Sequence, residues 1–227
     1  DRLASDLVIT VEYLAELFLD LQVQKANNIN LVTAGHFLPQ VREALILAKE
    51  QGLTIPVVYN SSGYEKAEML RYLEGLVDIY LPDLKYLEAD LAGKYSHAKD
   101  YPEVAMKALE EMVRQVGMPE FDERGMMKKG VIVRHLLLPG CLADGKRVVK
   151  YLHETYGNRI YMSLMSQYTP LESLDAAKYP ELNRKVPEYA YEKLVDYAIS
   201  LGVMQAFIQE GDTAKESFIP PFTLEGV

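Results

Sequence analysis

The sequence predicts an α/β fold, a parallel βα array whose carboxyl-terminal edge forms a binding site. Three observations lead there. Five strand-like segments, 29–36, 55–63, 77–86, 131–140 and 160–168, are spread along the chain with amphipathic stretches between them. Each runs from an apolar stem into glycine or polar side chains, as strands do where parallel α/β proteins carry their chemistry. Asp83 and Lys85, which follow the stem Val77-Asp-Ile-Tyr-Leu-Pro82, place a pair of opposite charges at one such end.

The elements follow in order. Thr10 stands where an N-cap belongs, and Val11, Leu14, Ala15, Phe18, Leu19 and Leu21 recur at helical spacing up to about Lys25. A strand is predicted over 28–33, then an amphipathic helix over 39–49 that Gly52 terminates. A second strand covers 55–59, a helix 65–73, and a third strand 77–81. Residues 87–92 and 98–102 then lead into a long helix over 103–115, with Pro102 suited to its first turn. Glycines, a proline and mixed charges make 118–130 a surface excursion, a hairpin or mobile loop. Residues 131–138 are almost continuously apolar, interrupted only by Arg134 and His135, which fits a strand buried on both faces. A helix over 145–156, a strand over 159–165, a loop rich in Pro, Leu and Tyr, and a helix over 188–201 come next. Residues 204–209 suit a last strand, and 211–227, with Pro220 and Pro221, an extended tail. Arrays of this kind normally open on a strand, so a first strand is expected to be missing upstream of the first helix.

Composition narrows the function classes. With 227 residues, 49% of them hydrophobic, one domain spanning 1–227 is expected. No run approaches the roughly 20 apolar residues of a membrane span, and the first residues lack the order of a signal peptide. A cytoplasmic protein with no membrane partner is the expectation. A net charge of −9 argues against nucleic acid, whose binders gather Lys and Arg on one face. Lys128-Lys129 and Lys146-Arg147 read as solvated surface. Cys141 stands alone, which excludes an intramolecular disulfide and any multi-thiolate metal or iron–sulfur site drawn from these residues.

In a parallel array the strand-end residues converge on one mouth. Here these are Thr33, Gly35 and His36; Asn60, Ser62 and Gly63; Asp83 and Lys85; Arg134; and Gln167 with Tyr168. Groups of both charge signs lining one cavity suit a zwitterionic ligand such as an amino acid, with Lys85 and Arg134 facing its carboxylate. A guanidinium inside an apolar strand needs an anionic partner, which marks Arg134 more strongly than Lys85, a residue that a surface strand end also accommodates. His36 reads equally as a satisfied core group beside Phe37. Asp144 reads as the cap of the helix that follows it, Cys141 as a small residue after a turn, His97 and His153 as surface, and Met162 and Met165 as packing residues rather than cofactor contacts.

Four motifs carry a resemblance: Thr-Ala-Gly-His at 33–36, Asn-Ser-Ser-Gly-Tyr at 60–64, Pro-Asp-Leu-Lys at 82–85 and Val-Arg-His-Leu-Leu-Leu-Pro-Gly at 133–140. With Ser-Leu-Met-Ser-Gln-Tyr-Thr-Pro at 163–170, they resemble the successive strand-end motifs of radical S-adenosylmethionine enzymes, in particular the pyruvate formate-lyase activating enzyme group. The resemblance implies a partial (βα)6 barrel of TIM type on which S-adenosylmethionine lies across the strand ends against a 4Fe-4S cluster. It implies reductive cleavage to a 5′-deoxyadenosyl radical that abstracts hydrogen, in activating enzymes from a glycine of a partner glycyl radical enzyme, with flavodoxin or ferredoxin as reductant. By motif, Gly35 falls at the turn that receives the methionine ammonium. Asp83, Lys85 and Arg134 fall around the carboxylate and ribose, and Asn60 and Ser62 at a neighbouring polar turn.

The chain departs from the family pattern in three places. His36 follows Gly35 where an acid is common, and Gln167 and Tyr168 stand where activating enzymes often have histidine. The three-cysteine cluster loop is absent, so the chain is expected to be a fragment, catalytically silent alone. Two other readings fit the residues: an aldolase with Lys85 as Schiff-base lysine and Asp83 assisting proton transfer, and a non-catalytic S-adenosylmethionine-binding module.

Overall fold

The computed structural model of the chain describes residues 9–170, 175 and 177–208. Helix α1 (Val11–Val23) opens the array with the expected cap: Tyr13 N–H donates to Thr10 Oγ1 at 3.2 Å. Its buried residues Ala15 and Phe18 belong to the face packed on α2 (Leu38–Glu50). The strands are β1 (Ile29–Val32), β2 (Val57–Ser61), β3 (Ile79–Pro82), β4 (Glu120–Phe121), β5 (Met127–Leu136), β6 (Tyr161–Met165) and β7 (Ala206–Ile208). They form one sheet in the order β1-β2-β3-β5-β6-β7, parallel throughout, with β4 antiparallel against the start of β5.

Helices make the crossovers. Helix α2 links β1 to β2, and α3 (Ala67–Leu70), continued by a 3-10 turn at Arg71–Leu73, links β2 to β3. Helices α4 (Ala89–Ser96) and α5 (Tyr101–Val116) precede the β4–β5 hairpin, α6 (Leu142–Tyr156) follows β5, and α7 (Glu188–Ser200) leads to β7. This is the predicted α/β architecture, a partial barrel: among the described residues the outer strands β1 and β7 do not pair with each other.

The two faces of the sheet differ in the way an open barrel requires. On β5, Val131, Val133 and His135, with Leu137 just beyond it, point toward the helices and are buried, while Ile132, Arg134 and Leu136 point to the concave face and are half-buried. On β6, Met162 and Leu164 are buried, and Tyr161, Ser163 and Met165 are half-buried. On β1, Ile29 and Leu31 are buried and Asn30 and Val32 exposed. The core therefore sits between sheet and helices. Its largest contributions come from side chains such as Leu45, Leu73, Met112 and Leu152, all fully buried, each worth about 2 kcal/mol of transfer free energy.

One segment takes one of its two expected forms, and two others differ from the sequence expectation. The excursion at 118–130 is a hairpin, so β5 begins at Met127, and Phe121 from β4 packs edge-on against Tyr161 at 5.5 Å. Tyr161 in turn stacks on Phe207 of β7 at 5.4 Å, which closes the amino-terminal end of the concave face with rings. The helix expected at 65–73 tightens into 3-10 geometry halfway, with Gly75 (φ 77°) turning the chain into β3. Asp144 does not cap α6. The capping position is Cys141, with no side-chain bond to the helix, and Asp144 lies in the first turn, buried, where its Oδ2 accepts from Leu87 N–H at 3.2 Å. The tail expected at 211–227 lies outside the described residues. No helix among the described residues is long and apolar enough to cross a membrane.

Candidate functional site

The site begins with a gap in the ladder. Strands β3 and β5 pair at Ile79 with Gly130 and at Tyr80 with Val131, and meet again only at the bridge between Asp83 and Arg134. Donors alternate sides along a parallel strand: Asp83 N–H goes to Ser61 O on β2 and Leu84 N–H to Arg134 O on β5. The N–H that proline lacks at position 82 is thus one that would face β5. Immediately beyond, the two strands are rejoined by side chains.

Arg134 supplies the join. Its Nε donates to Asp83 Oδ1 at 2.8 Å, its Nη2 lies 2.7 Å from the same oxygen, and Nη2 also donates to Asn60 Oδ1 at 2.8 Å. One guanidinium therefore spans the ends of β2, β3 and β5, and the partner demanded by a charge in an apolar strand is Asp83. Lys85 Nζ lies 3.9 Å from the other carboxylate oxygen, Asp83 Oδ2. Two cations against one carboxylate leave the cluster with one net positive charge.

Asp83 is held by its backbone as well. Tyr101 Oη sits 2.9 Å from Ser62 O and 3.0 Å from Asp83 O as donor, and accepts from Lys85 N–H at 3.0 Å. Burial pushes the Tyr101 phenol well above its ordinary range, so it serves as a neutral bridge. Gly63 (φ +78°) packs against the same carbonyl so closely that a Cβ there would stand 2.1 Å from Asp83 O. Only glycine meets both the backbone angle and the approach.

These residues open onto a cavity of about 340 Å³ lined by Asp83, Lys85, Tyr86, Arg134, Leu136, Leu138, Met165 and Tyr168. Its lining combines three charged side chains, Asp83, Lys85 and Arg134, with apolar and aromatic ones. Burial raises the phenols of Tyr86 and Tyr168, which therefore line the cavity as neutral rings. Tyr168 is fixed by donating to Leu182 O at 2.8 Å.

Of the sequence-predicted residues, Asp83, Lys85, Arg134 and Tyr168 line this cavity, and Asn60 joins them through Arg134. Thr33, Gly35, His36, Ser62 and Gln167 do not line it. Thr33 is exposed in a left-handed conformation (φ 55°), with its N–H on Asn60 O at 3.1 Å. Gly35 lies in the 3-10 turn Ala34–Phe37, where a Cβ would stand 3.5 Å from Glu65 Oε2 and from Tyr59 Oη. His36 is exposed and is not a core group. The carboxylate beside Gly35, Glu65 of the β2–α3 loop, accepts from Tyr59 Oη at 3.3 Å, and burial raises its pKa. Ser62 Oγ accepts from Tyr64 N–H at 3.4 Å, and Gln167 is exposed.

Met162 is a core residue as expected, but Met165 faces the cavity. Leu136 and Leu138 were also legible in principle, since they continue the alternate set begun by Arg134. Tyr86 and Glu65 carry no local signal, because each reaches its place by loop geometry.

No protein-family model matches the chain. An uncharacterized protein of Methanocaldococcus jannaschii is 28% identical over 174 residues, which cover 76% of this chain and 46% of that protein. The chain thus spans about half the length of the curated relative it matches. A crystal structure of a domain of pyruvate-formate lyase-activating enzyme from Bacteroides vulgatus superposes with a TM-score of 0.55 at 13% identity, covering 81% of this chain and 98% of that one. A radical SAM methyltransferase from Sphaerobacter thermophilus superposes with a TM-score of 0.57 at 13% identity, covering 88% and 57%. Identities this low carry the fold alone, and what the chain shares with both structures is a partial barrel, whose outer strands do not pair among the described residues.

Proposed function

We propose that the chain is the S-adenosylmethionine-binding core of a radical enzyme of the activating-enzyme type. One observation carries this: Asp83, Lys85 and Arg134, the last also bonded to Asn60, line one cavity together with Tyr86, Leu136, Leu138, Met165 and Tyr168. A ligand with an amino-acid end and a nucleoside end matches that combination. Lys85 faces the carboxylate, Asp83 accepts from ribose hydroxyls, and the aromatic and aliphatic wall packs on the base.

The residues of this chain do not fit an iron–sulfur cluster. The sequence holds one cysteine, and no group of three or more His, Cys, Asp or Glu side chains among the described residues is arranged to hold a metal. Cys141 is buried, and burial raises its thiol pKa, the opposite of what a thiolate ligand requires. No step through a cluster is therefore derived. The 227-residue chain is proposed to bind the nucleoside without turning it over. In a cluster-bearing whole protein, the proposed reaction is hydrogen abstraction from a glycyl residue of a partner enzyme, with flavodoxin or ferredoxin as the electron source.

Calorimetry with S-adenosylhomocysteine and with 5′-methylthioadenosine, which lacks the amino-acid end, tests the reading. Tighter binding of the former is expected. Binding of neither would end the assignment.

A further inference from the structure

Lys85 and Tyr86 reach the cavity from the segment between β3 and α4, which belongs to no helix and whose backbone bonds the sheet at Asp83 and Leu84. A loop side chain is no better placed than the backbone beneath it. On either side of these two residues, that backbone is gripped by a deeply buried polar side chain. His135 Nδ1 lies 2.8 Å from Leu84 O, and Asp144 Oδ2 accepts from Leu87 N–H at 3.2 Å. Both side chains are 2% exposed. Because Leu84 O can only accept, Nδ1 carries the imidazole proton and Nε2 is left as a bare acceptor.

The second polar atom of each residue is without a hydrogen bond: His135 Nε2 and Asp144 Oδ1. Asp144 Oδ1 has only the Arg147 guanidinium at 3.4 Å, and Arg147 also pairs with Glu88 at 2.7 Å. A buried polar atom without a hydrogen bond is costly. One such atom on His135, and one on Asp144 held only by an ion pair, are tolerated where the atoms that are bonded do something apolar side chains cannot. What they do is fix Leu84 O and Leu87 N. Gly145 permits the arrangement, since a Cβ there would meet His135 Nε2 and Leu137 Cδ1 at 3.1 Å each.

We infer that His135 and Asp144 are positioning residues, a two-point clamp beneath the sheet that sets where the Lys85 ammonium and the Tyr86 ring stand in the cavity. This rests on the nucleoside-binding reading for its consequence, though not for its geometry. The clamp lies on the helix side of β5 while Arg134, its chain neighbour, works on the concave side. One dipeptide thus serves both walls of the site.

The test uses the 227-residue chain, with His135→Leu and Asp144→Ala as disrupting variants and His135→Asn as the conservative one, because an Asn amide N–H takes the place of Nδ1–H. Hydrogen exchange at Lys85, Tyr86 and Leu87 should rise by roughly tenfold in the disrupting variants while the protection of β2 and β6 stays put. S-adenosylhomocysteine should bind roughly tenfold more weakly, with a smaller loss for 5′-methylthioadenosine, which meets Tyr86 but has no carboxylate for Lys85, and His135→Asn should recover most of both effects. Unchanged exchange in this segment, or equal losses for the two nucleosides, overturns the inference. If the wild-type chain binds neither nucleoside, the reading of the site fails, and exchange still decides whether the clamp holds the segment. Should His135→Leu not fold, Asp144→Ala and His135→Asn carry the same comparison.

Discussion

Arg134 and Asp83 are joined twice, by a parallel backbone bridge between their strands and by an ion pair at 2.7 Å between their side chains. The side-chain join sits just past the place where Pro82 withholds a ladder hydrogen bond. A charge pair has taken over the edge of the sheet, and it faces the cavity.

Arg134→Ala should weaken S-adenosylhomocysteine binding by about 2 kcal/mol, since a charge-assisted contact is lost and Asp83 and Asn60 lose their shared partner. Arg134→Lys should not restore it, because one ammonium cannot reproduce the fork to both side chains. Calorimetric affinity unchanged in Arg134→Ala removes the residue from the site.

Gly63→Ala should destabilise the fold by about 3 kcal/mol or more. The new methyl would collide with the Asp83 carbonyl oxygen, and the backbone angle is one that alanine rarely adopts. Urea unfolding measures the change, and a shift below 1 kcal/mol contradicts the close approach.

Tyr101→Phe should cost about 2 kcal/mol in the same assay, as the Lys85 N–H loses its acceptor and two carbonyls lose their donor. An equal stability of Tyr101→Phe and wild type would show that the hydroxyl does not brace the β3–α4 segment.

Glu111 sets a pH dependence. Its carboxylate takes Arg114 Nε at 2.9 Å and Nη2 at 2.8 Å, with Gln115 Nε2 at 2.8 Å. The Arg114 bonds, ahead of the other causes, hold its pKa down to about 2, against an ordinary 4.5. A folded-state value below the unfolded one means stability that is present above pH 4.5 and is lost as pH falls toward 2. Glu111→Gln should flatten that part of the stability curve without abolishing it, because Asp122 and Glu181 are also held at about 2. Identical slopes in the two proteins would contradict the assignment.

The strands and the charged residues of the site were legible because their signals are local. Thr10 before a helical stripe, apolar stems that end in polar groups, and a guanidinium interrupting Val131–Leu138 each point to one structure. Asp83, Lys85 and Arg134 do converge, as the parallel topology requires. The apolar wall was less visible: Met165 looks like any core methionine until the face of β6 is known. Glu65 beside Gly35 and Leu87 N–H on Asp144 are contacts between loops and distant elements, and no residue spacing encodes them. Asp144 misled because an acid in a first turn looks the same whether it serves its own helix or a loop above it.

A closed barrel admits its ligands through the ring of loops at one end. Among the described residues β1 and β7 do not pair, and the concave surface between them is half-wetted. A bulky molecule can approach from the flank and present a single protruding group to the charged side chains without threading through a mouth. Among the described residues it is the cavity beside Lys85, not a ring of loops, that limits the size of the part that enters.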